Sequence, residues 1–297
     1  MQTAVKHEFV NGVIPNLAAP ARPATDPIAT LTRHWPEYLM ESANLGLFMI
    51  SACSFTVLLQ HPDSLLRQML PADFERRLLT GLVMGLTAIA LIYCPWGKQS
   101  GAHLNPSVTL AFFRLGKIEP WDAVFYVLGQ FIGGGLGVMV STVLWGHAIM
   151  HQKVRYAATL PGTNGTDVAF LAELVISFLM MTVVLNVSNT PKIARFTGAI
   201  AGVLVATYIT LESPLSGMSM NPARSLASAL PGQLWKALWI YFTAPPLGML
   251  LAAEVYCHLR GKASVRCAKL HHHNDKRCIF RCNYKFSPIQ LTFKETI

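Results

Sequence analysis

Six stretches of this chain run for 16 to 24 residues without one Asp, Glu, Lys or Arg: 42–60, 78–97, 123–146, 174–191, 196–211 and 237–253. Each is rich in Leu, Val, Ile, Phe, Met, Ala and Gly. The hydrocarbon core of a bilayer is about 30 Å thick and takes about 20 apolar residues per helix, so six membrane spans are expected. Charged residues make up 13% of the 297 residues, against about 25% in ordinary globular domains. That is too little charge to cover a soluble surface of this size. It is also far too apolar a chain for intrinsic disorder. A polar, Pro-containing segment precedes the first span, so no cleavable signal peptide is expected.

The net charge of +9 is informative through its location. Residues 260–297 carry nine Lys/Arg against Asp275 and Glu295; residues 1–36 carry Lys6, Arg22 and Arg33 against Glu8 and Asp26. The long body between them is almost neutral, so nucleic acid is not an expected partner. With six spans both termini share one side. That side also holds Arg114, Lys117 and Lys192, and the excess of Lys/Arg there predicts that both termini are cytoplasmic. The chain therefore divides into an N-terminal segment 1–36, a membrane domain 37–259 with halves at about 37–147 and 168–259, and a basic tail 260–297. The tail is expected to be solvated, with some attraction for anionic lipid.

Small residues recur at every fourth position: Gly129/Gly133/Gly137, Gly81/Gly85 and Gly198/Gly202. This spacing lets helix backbones approach closely in lipid. The run Gly133-Gly134-Gly135-Leu136-Gly137 is not a dinucleotide loop, because no strand precedes it and no acidic residue follows at the required distance.

One segment occurs twice. Ser100-Gly101-Ala102-His103-Leu104-Asn105-Pro106-Ser107 matches Ser216-Gly217-Met218-Ser219-Met220-Asn221-Pro222-Ala223, with the Asn-Pro pairs 116 residues apart. Each copy lies between the second and third span of a half. Three spans per half is odd, so the halves are inverted, and inverted repeats place a shared site near the bilayer midplane. Asn suits a helix N-cap and Pro the first helical position. The apolar segments that follow, 108–113 and 225–230, are too short to cross. Two re-entrant half-helices should therefore dip in from opposite faces, with Asn105 and Asn221 meeting near the centre. Irregular backbone at that depth is tolerated where it lines a wet cavity, which makes this an expected pore.

The paired Asn-Pro boxes, the six spans and the wording SGAHLNP…MNPARS resemble the aquaporin, or major intrinsic protein, family over about residues 37–258. The resemblance implies an all-α membrane fold of six tilted helices plus two half-helices, and a homotetramer with one pore per subunit in the cell membrane. It implies a pore built on Asn105, Pro106, Ser107, Asn221, Pro222 and Ala223. Ser107 departs from the family's usual Ala. It also places the narrowest constriction on Met84 (or Gly85), Ile209, Met218 and Arg224. Strict water channels usually have an aromatic and a His there, and glycerol facilitators have aromatics with Gly; this chain has neither set. Ser225, Ala229 and the pair Tyr241-Phe242 match water channels better. Water is the favoured solute, with glycerol or another small neutral molecule as the alternative.

The half-helix dipoles would each aim about half a positive charge at the pore centre. A narrow lining of amide donors and backbone acceptors replaces the hydration of neutral molecules and repels cations and protons. Arg224, a charge at membrane depth, is a functional residue by default. Glu41 and Glu173 occupy matched places at the first span of each half. A Glu at a helix start is commonly an interfacial dipole partner; the matched placement favours support of the re-entrant loops through backbone N–H bonds. His103 is expected as a structural or pore-adjacent neighbour of the same loop.

No nucleophile–base pair or carboxylate cluster occurs in the membrane body, so no enzyme is expected, and no cofactor or metal. The nearest to an exception is the tail, where Cys267, His271, Cys278 and Cys282, with His272 and His273 nearby, have spacings that miss the usual zinc patterns.

Overall fold

The protein is described from a computed structural model covering residues 26–284. The charges counted above at Lys6, Glu8, Arg22, Lys285, Lys294 and Glu295 lie outside the described residues. Among the described residues there is no strand, and six helices are long and apolar enough to cross a membrane. We number the helices that build the membrane body α1 (Pro27–Gln60), α2 (Asp73–Tyr93), α3 (Pro106–Arg114), α4 (Pro120–Trp145), α5 (Thr166–Ser188), α6 (Thr197–Leu211), α7 (Pro222–Gly232) and α8 (Leu238–Arg260). Both halves follow the same order of span, span, half-helix, span.

Local chemistry sets the ends. Asp26 caps α1 by accepting from the N–H groups of Ile28 and Ala29, with Pro27 at the first helical position. Asn105 and Asn221 do the same for α3 and α7, each followed by Pro. α1 starts well before the first charge-free stretch and before the domain boundary expected at residue 37. The reason is that its buried carboxylates are met by donors. Glu37 accepts from Gln99 Nε2 at 2.8 Å and from Arg277 Nε at 2.9 Å, so a fully buried carboxylate is no obstacle to the helix.

Packing is pairwise: α1 against α4, α2 against α6, and α5 against α8. The fourfold glycine spacing marks these seams. A Cβ on Gly133 would lie 2.0 Å from the Ser42 carbonyl, and one on Gly85 would lie 2.5 Å from that of Gly202. Gly248, on the α5–α8 seam, is equally close to Leu174 O at 2.4 Å. Each half-helix also packs against the last span of the other half, α3 on α8 and α7 on α4. The exchange knits the two halves into one bundle.

The outward faces of the spans are apolar, with Leu82, Leu86, Ile132, Met139, Val143, Leu171 and Leu247 among the exposed side chains. Such a belt fits lipid or a neighbouring copy, not water. The protein is a multi-pass membrane protein.

The tail differs from the solvated segment expected of it. Residues 261–284 pack onto the face that carries the α3–α4 and α5–α6 turns. Arg281 pairs with Glu119 at 2.6 Å and donates its backbone N–H to Lys117 O at 3.0 Å. The Arg266 N–H bonds Asn189 Oδ1 at 2.7 Å. Val265, Cys267, Ala268, Leu270 and Phe280 are buried there. Composition showed nine positive charges; it did not show these apolar residues and the acidic partners waiting on the helix ends.

Candidate functional site

Each half-helix begins at a chain reversal that only an unusual backbone supplies. Gly101, Ala102 and Leu104 have φ of 97°, 55° and 55°, and Gly217, Met218 and Met220 have 81°, 50° and 54°. The left-handed region costs a residue with a Cβ roughly 1–2 kcal/mol, so four non-glycine residues held there need support from their surroundings. The caps then turn the chain into helix. Asn105 Oδ1 accepts from Ser107 N–H at 2.8 Å, and Asn221 Oδ1 accepts from Ala223 and Arg224 N–H at 3.0 and 3.2 Å. The other half of each amide reaches across the centre: Asn105 Nδ2 donates to Met220 O at 2.6 Å, and Asn221 Nδ2 donates to Leu104 O at 2.7 Å. The two loops thus bind each other by the same pair of bonds, exchanged.

The supports are matched as well. Glu41 is fully buried and accepts from the Leu104 N–H, from Ser100 Oγ at 3.0 Å and from Gln130 Nε2 at 2.9 Å. Glu173, also fully buried, accepts from the Ser219 and Met220 N–H groups at 2.6 and 2.7 Å and from Ser216 Oγ at 2.7 Å. Tyr126 donates to Ser100 O at 2.6 Å, and Tyr241 to Ser216 O at 2.5 Å. His103 lies between the rings of Phe112 and Phe280, with centroids at 5.4 Å on both sides. Its Nε2 is 2.9 Å from Ala268 O and its Nδ1 3.1 Å from Thr109 Oγ1. A carbonyl can only accept, so Nε2 carries the proton.

These loops line a cavity of about 670 Å³ that runs through the bundle from Leu270, beside the tail, to Gln60 and Lys153 on the other face. Asn105 and Asn221 lie on its wall, and so do Met84, Ile209, Met218 and Arg224. Gly85, the other position considered for the constriction, faces the α6 backbone instead. Arg224 Nη1 is buried and has no protein hydrogen-bond partner among the described residues. Pro106, Ser107, Pro222 and Ala223 are buried behind the asparagines as the first turns of α3 and α7.

The family model for Major intrinsic protein matches residues 30–256. The chain belongs to the major intrinsic protein family. Among relatives within this family, Aquaporin NIP1-2 of Arabidopsis thaliana is 34% identical over 186 residues, covering 60% of this chain and 62% of the relative. A probable NIP-type aquaporin of Nicotiana alata is 37% identical over 182 residues, or 59% and 63%. The chain thus spans a little under two thirds of the length of these plant relatives. The Glycerol uptake facilitator protein-like 6 of Lactiplantibacillus plantarum is 35% identical over 184 residues, 59% of this chain and 82% of that one. The X-ray structure of the aquaglyceroporin from Plasmodium falciparum has the same fold, with a TM-score of 0.62 at 18% identity, over 75% of this chain and 95% of that one.

Within this major intrinsic protein chain, several residues of the site carried no sequence reading. Ser100 and Ser216 were visible as part of the repeated segment but had no role. Tyr126 is the counterpart of Tyr241: they stand 26 and 25 residues after the serines whose carbonyls they bind. Extending the repeat comparison into the third span of each half would have paired them. Thr109 is the counterpart of Ser225, each bonding the residue two before the Asn of its own box, His103 and Ser219; Gln130, which bonds Thr109 at 3.1 Å behind the first loop, has no polar counterpart in the repeat and left no signal.

Proposed function

We propose that the protein is a passive channel for water that excludes ions and protons. The observation that carries this reading is the exchanged pair of asparagine amides. Each side-chain amide has two N–H donors; one binds the carbonyl across the centre, and the second is left for a solute in the cavity. Two such donors, at the positive ends of two half-helices, suit the oxygen of a neutral molecule and disfavour a cation. Pro106, Ser107, Pro222 and Ala223 hold the asparagines in place. Glu41, Glu173 and His103 support the loops. Met84, Ile209, Met218 and Arg224 form the constriction, where Arg224 supplies a fixed charge and free donors against an otherwise apolar wall.

A second reading, glycerol or another small neutral solute, is favoured by that same wall. Met84, Ile209 and Met218 add apolar lining to the cavity that the Arg224 donors enter, which suits a molecule with a carbon backbone and hydroxyls. Proteoliposomes separate the two. Shrinkage under a sucrose gradient should be well above that of empty vesicles, and glycerol entry should be slow. Water permeability no higher than in empty vesicles, with rapid glycerol entry, replaces the first reading by the second. Arg224→Val should raise proton leak by about tenfold, the equivalent of about 1.4 kcal/mol of barrier, as read by an entrapped pH dye. An unchanged leak removes Arg224 from the selectivity role.

We place the tail and both chain ends on the cytoplasmic side of the cell membrane. Arg33, Arg114, Lys117 and, in the described part of the tail, Arg277 and Arg281 share that face, as the positive-inside rule requires. The assembly we propose is the homotetramer that the family resemblance implies, with the exposed apolar belt shared between subunit contacts and lipid.

A further inference from the structure

Three cysteines and one histidine meet where the tail is docked. Cys267 Sγ lies 3.5 Å from Cys278 Sγ, Cys282 Sγ lies 3.0 Å from His272 Nε2, and all four atoms lie within 4.8 Å of one another. A tetrahedral zinc ion with Zn–S of about 2.3 Å and Zn–N of about 2.0 Å holds its ligand atoms roughly 3.5–3.8 Å apart. The four side chains therefore already stand close to the spacing of a Cys₃His site. In the sequence, spacing groups His271 with the three cysteines, and no metal is expected there. In the structure the His271 ring packs edge-on against Tyr93, with centroids at 4.8 Å, and its neighbour His272 takes the place among the sulfurs.

What surrounds the cluster has the character of a metal site's outer shell. The His272 ring is stacked on Tyr284 at 4.2 Å and 9°, which fixes its plane. The Tyr284 N–H points at Cys282 Sγ from 3.4 Å, the kind of backbone bond that orients a ligating thiolate. Two lysines, Lys117 and Lys269, are buried beside the sulfurs. Among the described residues neither is paired with a carboxylate. Lysines are almost never buried without a counter-charge. Three thiolates around a divalent cation leave one net negative charge beside these two lysines, and Lys269 Nζ is held as well by the Lys276 and Arg277 carbonyls at 3.2 and 2.7 Å.

The ligands also bracket the contacts that the tail makes with the pore. Ala268 and Leu270, between Cys267 and His272, bond His103 Nε2 and Gly101 O. Phe280, between Cys278 and Cys282, stacks on His103 and packs over Gly101. We propose that Cys267, His272, Cys278 and Cys282 bind one zinc(II) ion, and that this ion holds the two short segments covering the first Asn-Pro loop. Each cysteine releases its thiol proton to solvent as it ligates. The site is independent of which solute the channel carries.

The test uses the full-length protein, purified in detergent under reducing conditions. Elemental analysis should give about one zinc per chain, and Cys278→Ser/Cys282→Ser should lower that at least about tenfold, because two of four ligands are lost. His272→Ala should lose metal, while His271→Ala and His273→Ala should keep it. Cobalt(II) added to metal-stripped wild-type protein should give thiolate charge-transfer and tetrahedral d–d bands that saturate at one equivalent. This measurement needs no variant, so it stands even if a substituted chain fails to fold. Stripping the metal should also speed trypsin cleavage at Lys269 and Arg277 by about tenfold, since zinc binding is folding free energy for such segments. Zinc-free wild-type protein with no cobalt spectrum overturns the proposal. So does a disulfide between Cys267 and Cys278, or metal retained by His272→Ala and lost from His271→Ala.

Discussion

The two Asn-Pro loops are wired alike and covered differently. Inside, each has a buried Glu, a Ser that bonds it, a Tyr on the Ser carbonyl and an Asn that reaches across the centre. Outside, the first loop is covered by the tail, through the Ala268 carbonyl on His103, the Leu270 N–H on Gly101 and the Phe280 ring. The second is covered by the connection between the halves. Gly162 N–H bonds Leu215 O at 2.9 Å, Thr159 Oγ1 bonds Ser225 Oγ at 2.7 Å, and a Cβ on Gly217 would meet the Leu160 backbone. Where the first loop has the ring of His103, the second has the small Ser219, bonded to Ser225 Oγ at 2.6 Å. The lesson is that depth in the membrane dictates the wiring, because the backbone N–H groups of each loop must be met there. The covers lie near the two surfaces, where water and charge permit more than one solution.

The largest test of this likeness is Glu173→Ala beside Glu41→Ala. Both orphan buried donors, at about 1–3 kcal/mol each. Glu173 serves two loop N–H groups directly, while Gln130 shares the Glu41 site, so Glu173→Ala should lower the melting temperature in detergent more, and both should abolish permeability. Retained permeability in either variant would mean that the loop does not depend on its carboxylate.

Gly101→Ala and Gly217→Ala come next, each costing roughly 1–2 kcal/mol for the positive φ alone. At Gly217 the new methyl meets backbone at 2.7 Å, whereas at Gly101 it meets the edge of the Phe280 ring at 2.8 Å. Since a ring can turn and a backbone cannot, thermal unfolding should rank Gly217→Ala as the more damaging. The reverse order would show that the tail is the stiffer cover.

The smallest pair is Tyr126→Phe and Tyr241→Phe. Each removes one hydrogen bond within the bundle, worth about 0.6–1.7 kcal/mol in membrane proteins. Equal losses of stability sharpen the symmetry; a difference of more than about 1 kcal/mol breaks it.

The sequence made the membrane body legible because lipid leaves few options. Charge-free length marked the spans, and a repeated Asn-Pro box with Gly at matched seams marked the inversion. Asn105, Asn221 and Arg224 could be singled out for the same reason: polar groups at membrane depth stand out. The tail was not legible. Its contacts join residues far apart in the chain, Arg277 to Glu37 and Ala268 to His103, and no periodicity announces them. The choice between His271 and His272 turned on ring directions in an irregular segment, where spacing carries little information. Tyr126 was hidden for a different reason, since an aromatic in a spanning helix reads as ordinary lipid-facing or core packing.

The exchanged asparagine bonds have a consequence for biosynthesis. Leu104 and Met220 each accept the amide of the other loop, so neither loop holds its final set of bonds until both have entered the membrane. The first half must wait, unlocked, while more than a hundred further residues are made and inserted. Ala268, made later still, then bonds His103. Quality control in the membrane would therefore meet a channel whose earliest-made loop is among the last parts to be secured, and truncations after α6 should be cleared as though the first half were itself misfolded.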